Sequence, residues 1–134
     1  AWEEAWRVTE TLVLQLDQLV TDRHARFGVV VIPTAEQVDP NSGRRDALQK
    51  ELGFDDYFYP DSRIAELARR SGIPSLPLPR LLHAFATDQQ VQLYGFANTE
   101  LGTGHWNETG HAAAARYLAP FACEELLGGS TIAR

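Results

Sequence analysis

Apolar and polar positions alternate with a helical period at the start of the chain. Trp2, Trp6, Leu12, Leu16, Leu19 and Val20 recur at spacings of three, four and their multiples, with acids and glutamines between them, which predicts one helix over residues 2–26. Gly28 breaks it. Val29 to Ile32 is a short, β-branched, wholly apolar run stopped by Pro33, the pattern of a parallel strand buried on both faces. Pro40-Asn41-Ser42-Gly43 signals a turn, and Ala47, Leu48 and Leu52 fit a short helix over residues 44–52. Phe54, Tyr57, Phe58 and Tyr59 follow, aromatics that could line a substrate cleft but are read first as a packed loop. Asp61 or Ser62 then caps a helix running to about Arg70, with Ile64, Leu67 and Ala68 inward and Gly72 at its end.

Ile73 to Leu78 is extended, but Pro74 and Pro77 restrict it to a short strand near a sheet edge. A helical turn or two covers residues 81–86. Residues 89–104 read mostly as loop, with Val91 to Tyr94 extended. A final alanine-rich helix runs over about 107–127 and ends at Gly128-Gly129. Helices interleaved with short apolar strands define a layered α/β fold around a parallel sheet. Two strands leave such a sheet incomplete, so another copy or further strands must cover it, and self-association is expected.

Composition narrows the classes. With 44% hydrophobic and 22% charged residues in 134, the chain is an ordinary globular sequence with room for one domain. No apolar run approaches the roughly 20 residues that span a bilayer. A net charge of −6 and a single lysine, Lys50, argue against a nucleic-acid partner, which needs clustered cations. Arg69-Arg70 is read instead as a favourable helix C-terminus. Cys123 is the one cysteine, which rules out an intrachain disulfide, and its apolar-rich surroundings make it a small core residue.

The chemistry concentrates in Gly102-Thr103-Gly104-His105-Trp106-Asn107-Glu108-Thr109-Gly110-His111. Glycines let the loop approach closely, and Asn107 is a good N-cap. Trp106 before it can staple onto the first turn near His111. A histidine held at a rigid helix entry is how a general base is commonly presented. A metal pair of His105 and His111 is unattractive, because tetrahedral zinc wants three or four ligands and no Cys/His cluster exists. His24 and His83 sit in ordinary helical sequence.

The run His-Trp-Asn-x-x-Gly-His, followed by an alanine-rich helix, resembles the last motif block of SGNH (GDSL-type) hydrolases. The resemblance implies a three-layer, flavodoxin-like fold of which residues 1–134 form the C-terminal part of one domain. It implies an esterase or carbohydrate deacetylase chemistry in which His105 activates a serine nucleophile. Thr103, Trp106 and Asn107 support it, and no metal or organic cofactor is called for. The substrate would be an ester or acetylated small molecule or carbohydrate. Two positions depart from the family pattern. The acid that stands two or three residues before the histidine is replaced by Thr103 and Gly102, which leaves the imidazole to a backbone carbonyl, to Thr103 or to an acid elsewhere. No Gly-Asp-Ser occurs, and no Gly-x-Asn-Asp block brings an oxyanion donor; Ser62, beside Pro60 at a helix start, is a poor nucleophile. With no Met, the chain is expected to follow an upstream segment bearing the serine, and alone to be inactive. An O-acyltransferase of the same fold and a non-catalytic α/β interaction domain are the alternatives.

Overall fold

In the computed structural model, which describes residues 2–128, most of the chain is helical and the sheet is small. Helix α1 (Trp2–Thr21) leads into strand β1 (Val29–Val31). Helices α2 (Ser42–Leu52) and α3 (Tyr59–Ser71) then cross over to strand β2 (Ser75–Pro77), followed by α4 (Leu78–Gln89) and α5 (Glu108–Phe121). The strands pair in parallel with Val29 opposite Ser75, Val30 opposite Leu76 and Val31 opposite Pro77. This is a mixed α/β architecture, with a βαβ unit at its centre.

Because side chains alternate across a strand, Val30 and Leu76 share one face of the sheet. That face packs on the main core, formed by Val38, Leu78, Leu82, Ala86, Leu93, Tyr94, Ala113 and Ala114. Leu78, Leu82 and Ala86 recur at helical spacing along α4, and Ala113 and Ala114 keep α5 slim enough to lie close against it. Leu67 and Ala68 of α3, and Ile73 just beyond it, are also buried.

Several local expectations hold for local reasons. Gly72 ends α3 in the left-handed region at φ 70°, its N–H returning to the carbonyls of Ala68 and Arg69. Asn41 caps α2 by accepting from the Gly43 N–H at 3.0 Å.

Other expectations are corrected. Neither Asp61 nor Ser62 caps α3: the helix starts at Tyr59 after Phe58, and Pro60 in its first turn needs no N–H partner. Asp61 is buried instead, accepting from Gln37 Nε2 at 3.0 Å. The Val29 to Ile32 run is not buried on both faces. β1 has only β2 beside it among the described residues, its valines are half-buried, and Ile32 is exposed. No residue of α1 is buried, and Trp2, Leu12, Leu16 and Leu19 are exposed, since α1 touches the rest of the described chain chiefly through α3.

α1 also stops at Thr21 rather than near 26, and His24 lies in the following turn at φ 58°, not in a helix. The helix expected over 81–86 begins earlier, at Leu78, because Pro79 occupies its first turn. α5 gives way after Pro120 to a π-helical turn, Ala122–Leu126, because proline cannot donate the helical hydrogen bond. Cys123 lies in that turn and is exposed, not in the core. Gly128 does take a left-handed φ of 67°, and Gly129 lies outside the described residues.

Candidate active site

The loop between α4 and α5 is pinned at both ends. Tyr94 and Trp106 form an isolated antiparallel bridge, flanked by Gly95 N–H to His105 carbonyl at 3.0 Å and Asn107 N–H to Leu93 carbonyl at 3.0 Å. Within it the Gly102 N–H returns to the Tyr94 carbonyl at 2.9 Å. Gly95, Gly102 and Gly104 all take positive φ, between 77° and 85°, a region that other residues enter at a cost. Gly95 is forced for a second reason: a Cβ there would stand 2.4 Å from the Glu100 carbonyl oxygen.

Asn107 performs the role its position predicts. Its Oδ1 accepts from the Gly110 N–H at 2.9 Å, which caps α5, and its Nδ2 donates to the Gln92 carbonyl at 2.9 Å. One side chain thus ties the helix start to the loop start. Asn107→Ala is expected to cost about 1–2 kcal/mol, the worth of a cap plus one half-buried hydrogen bond, with Asn107→Asp recovering part of it in urea unfolding.

Trp106 packs edge-on against His111, ring centroids 5.6 Å apart, and against Tyr94 at 6.3 Å. Its Nε1 is buried and has no hydrogen-bond partner among the described residues. The Tyr94 hydroxyl donates to the Pro33 carbonyl, just past β1. That bond carries the whole loop to the C-terminal end of the strand. There an open cleft of about 830 Å³ is lined by Ile32, Thr34 and Glu36 on one side and by Thr103, His105 and His111 on the other. The carboxyl ends of parallel strands are where open α/β sheets bind ligands.

His105 is exposed and faces this cleft. Thr103 is half-buried beside it, its hydroxyl donating to the Glu100 carbonyl at 2.8 Å. His111, in the first turn of α5 beside Trp106, is exposed and also lines the cleft. Ser62 stands elsewhere, on α3, where Arg80 Nη2 approaches its Oγ at 3.3 Å. No serine lines the cleft among the described residues.

Sequence patterns missed Tyr94 and Glu36. Nothing local marks either; only the stop at Pro33 hints that the next few residues stand at a strand end. Burial pushes the Tyr94 hydroxyl up, and the Glu36 carboxylate adds to it. Tyr57 is likewise raised, chiefly by burial and then by Glu36. His83, half-buried, is lowered by burial and by the neighbouring Arg45 guanidinium, so it stays neutral more readily than an ordinary histidine. No group of three His, Cys, Asp or Glu side chains that could hold a metal occurs among the described residues. No helix among them is long and apolar enough to cross a membrane. Comparison with protein families, curated proteins and solved structures finds no match to this chain.

Proposed function

We propose that the chain is the C-terminal part of an SGNH-like ester hydrolase domain, an esterase or carbohydrate deacetylase, with His105 as its general base. One observation carries most of this reading: an exposed histidine, on a loop pinned at both ends, faces an open cleft at the carboxyl end of a parallel strand. The sequence motif and the geometry are separate supports, because the cap and bridge could have formed with His105 turned away from β1.

In the proposed reaction a serine oxygen attacks the acyl carbonyl of an ester or acetylated carbohydrate. His105 accepts the serine proton, then returns it to the leaving alcohol as the acyl-serine forms. Water, activated by the same imidazole, releases the acid. The nucleophile comes from outside the described residues. In the O-acyltransferase variant, a sugar hydroxyl replaces that water. The half-covered sheet and the exposed apolar side chains of α1 fit a chain that packs against further strands or another copy.

A second reading, a non-catalytic α/β interaction domain, is favoured by the lack of a serine in the cleft and by Thr103 in the acid's usual place. Short-chain activated esters separate the two. The 134-residue chain alone is expected to show no turnover above background. The natural polypeptide that contains it should hydrolyse them, with His105→Ala reducing kcat/KM by about 10³-fold or more. Natural protein that is folded but inert, with no Gly-Asp-Ser in its sequence, would establish the interaction domain instead.

A further inference from the structure

We infer that Glu36 becomes the carboxylate partner of His105 by turning its side chain across the cleft that both line, in place of the acid missing from the histidine's own loop. The inference rests on the proposed general-base role of His105. On the loop itself, Gly102 has no side chain, Thr103 gives its one hydroxyl proton to the Glu100 carbonyl, and the Glu100 side chain does not line the cleft. Glu36 does.

The turn that carries Glu36 is held from both sides. Ahead of it, the Pro33 carbonyl accepts from Tyr94, and the Thr34 N–H donates to Gln37 Oε1 at 2.9 Å. After it, Gln37, Val38 and Asp39 are all buried. Gln37 Nε2 donates to the Tyr57 carbonyl and to Asp61, and Asp39 accepts from Gln92 at 3.0 Å. The backbone therefore keeps the Glu36 side chain, half-buried, on the cleft wall. Other acids of the fold, among them Glu4, Glu10 and Glu66, pair with arginines; Glu36 makes no ion pair or side-chain hydrogen bond among the described residues.

Charge completes the case. The titratable groups facing the cleft are Glu36 from the turn after β1, Tyr94 and His105 from the α4–α5 loop, and His111 from α5. No lysine or arginine lines it, so an imidazolium is the one cation available to balance Glu36. A carboxylate accepting from a ring N–H fixes the tautomer and steadies the imidazolium that forms on proton transfer, and unrelated folds draw this acid from different chain positions. Glu36 is on this account a positioning residue that acts through His105.

Ring NMR of the chain at one pH, read as ring-proton resonance positions and ring N–H exchange, tests the pairing without any turnover. His105→Gln and His111→Gln variants assign the two sets of resonances. Glu36→Gln should displace the His105 resonances and speed exchange of its ring N–H, Glu36→Asp should do so less, and Glu100→Gln should leave them in place. Raising salt on the unmutated chain should move the His105 resonances the same way as Glu36→Gln, which keeps the test available should that variant misfold. His105 resonances that ignore both Glu36→Gln and salt, or a change confined to His111, overturn the inference. In the natural polypeptide, Glu36→Gln should lower kcat by about 10²-fold or more while KM stays near its original value. Turnover that needs His105 but not Glu36 would overturn the pairing and leave the hydrolase reading intact. A His105 resonance change on Glu36→Gln in a protein that hydrolyses no ester would do the reverse.

Discussion

Asp61→Asn is expected to stabilise the protein by about 2 kcal/mol at pH 8, with the gain disappearing as the pH falls toward 4. Asp61 is 3% exposed, and burial pushes its carboxyl up to about 6 from an ordinary value of 3.8; Asp56 adds to this, while Gln37 and Arg80 oppose it. A folded-state pKa above the unfolded one means that the native protein binds the proton more tightly. Stability associated with this group is therefore complete below about pH 4 and is lost as the pH rises through about 6. A displacement of about two units is worth roughly 3 kcal/mol. Asparagine carries no charge at any pH, keeps an oxygen for Gln37 Nε2, and so escapes the loss. It also gives up the favourable meeting of a carboxylate with the first turn of α3, about 0.5–1 kcal/mol, which brings the net to about 2. Urea unfolding at pH 8, 6 and 4.5 checks the trend. A destabilised variant at pH 8, or a gain that does not vary with pH, would show that Asp61 is held as a charged structural group.

Gly110→Ala should act in the opposite direction, destabilising the fold by about 3 kcal/mol or more. A Cβ at this position would lie 2.3 Å from the Leu93 carbonyl oxygen and 3.3 Å from Trp106 Cβ. The carbonyl cannot swing away cheaply, because it accepts the Asn107 N–H that closes the loop. Alanine is the better helix former by about 1 kcal/mol, but a backbone clash at the helix entry outweighs that. The contrast with Gly104→Ala identifies the cause. Nothing lies within 4 Å of a Cβ at Gly104, so its only penalty is the positive φ of 77°, about 1 kcal/mol. Thermal unfolding should separate the two variants clearly. Equal losses would mean that backbone conformation, not contact with Leu93, is what the motif glycine provides. Because Asn107 and Trp106 share that contact region, Gly110→Ala should also loosen the loop that presents His105.

The half-covered sheet bears on both the stability and the proposed reaction. β1 and β2 each have one edge unpaired among the described residues, and the apolar side chains along α1 are open to solvent. Under the proposed reaction, His105 at the end of such a sheet would meet a nucleophile carried by a neighbouring strand.

What the sequence by itself determined is what acts over a few residues. The β-branched run at Val29 to Val31 forms its strand, Gly72 stops α3, and Asn107 caps α5 through a bond three residues long. The order of helices and short strands followed from the same signals, and so did a histidine at a pinned helix entry. Tertiary structure alone decided which side chains those elements bring together. Asp61 left its expected capping role because Gln37, 24 residues away, was there to receive it in the interior. The apolar stripe of α1 dictates a helix but contains no information about what covers it, and Cys123 is exposed because the π-helical turn after Pro120 re-aimed it. His105 faces the strand end through the bond from Tyr94 to Pro33, residues 61 apart, and the same bond brings Glu36 to its cleft. Periodicity and caps report on a chain's neighbours along its length, whereas a site is made by residues that meet only when the core has closed.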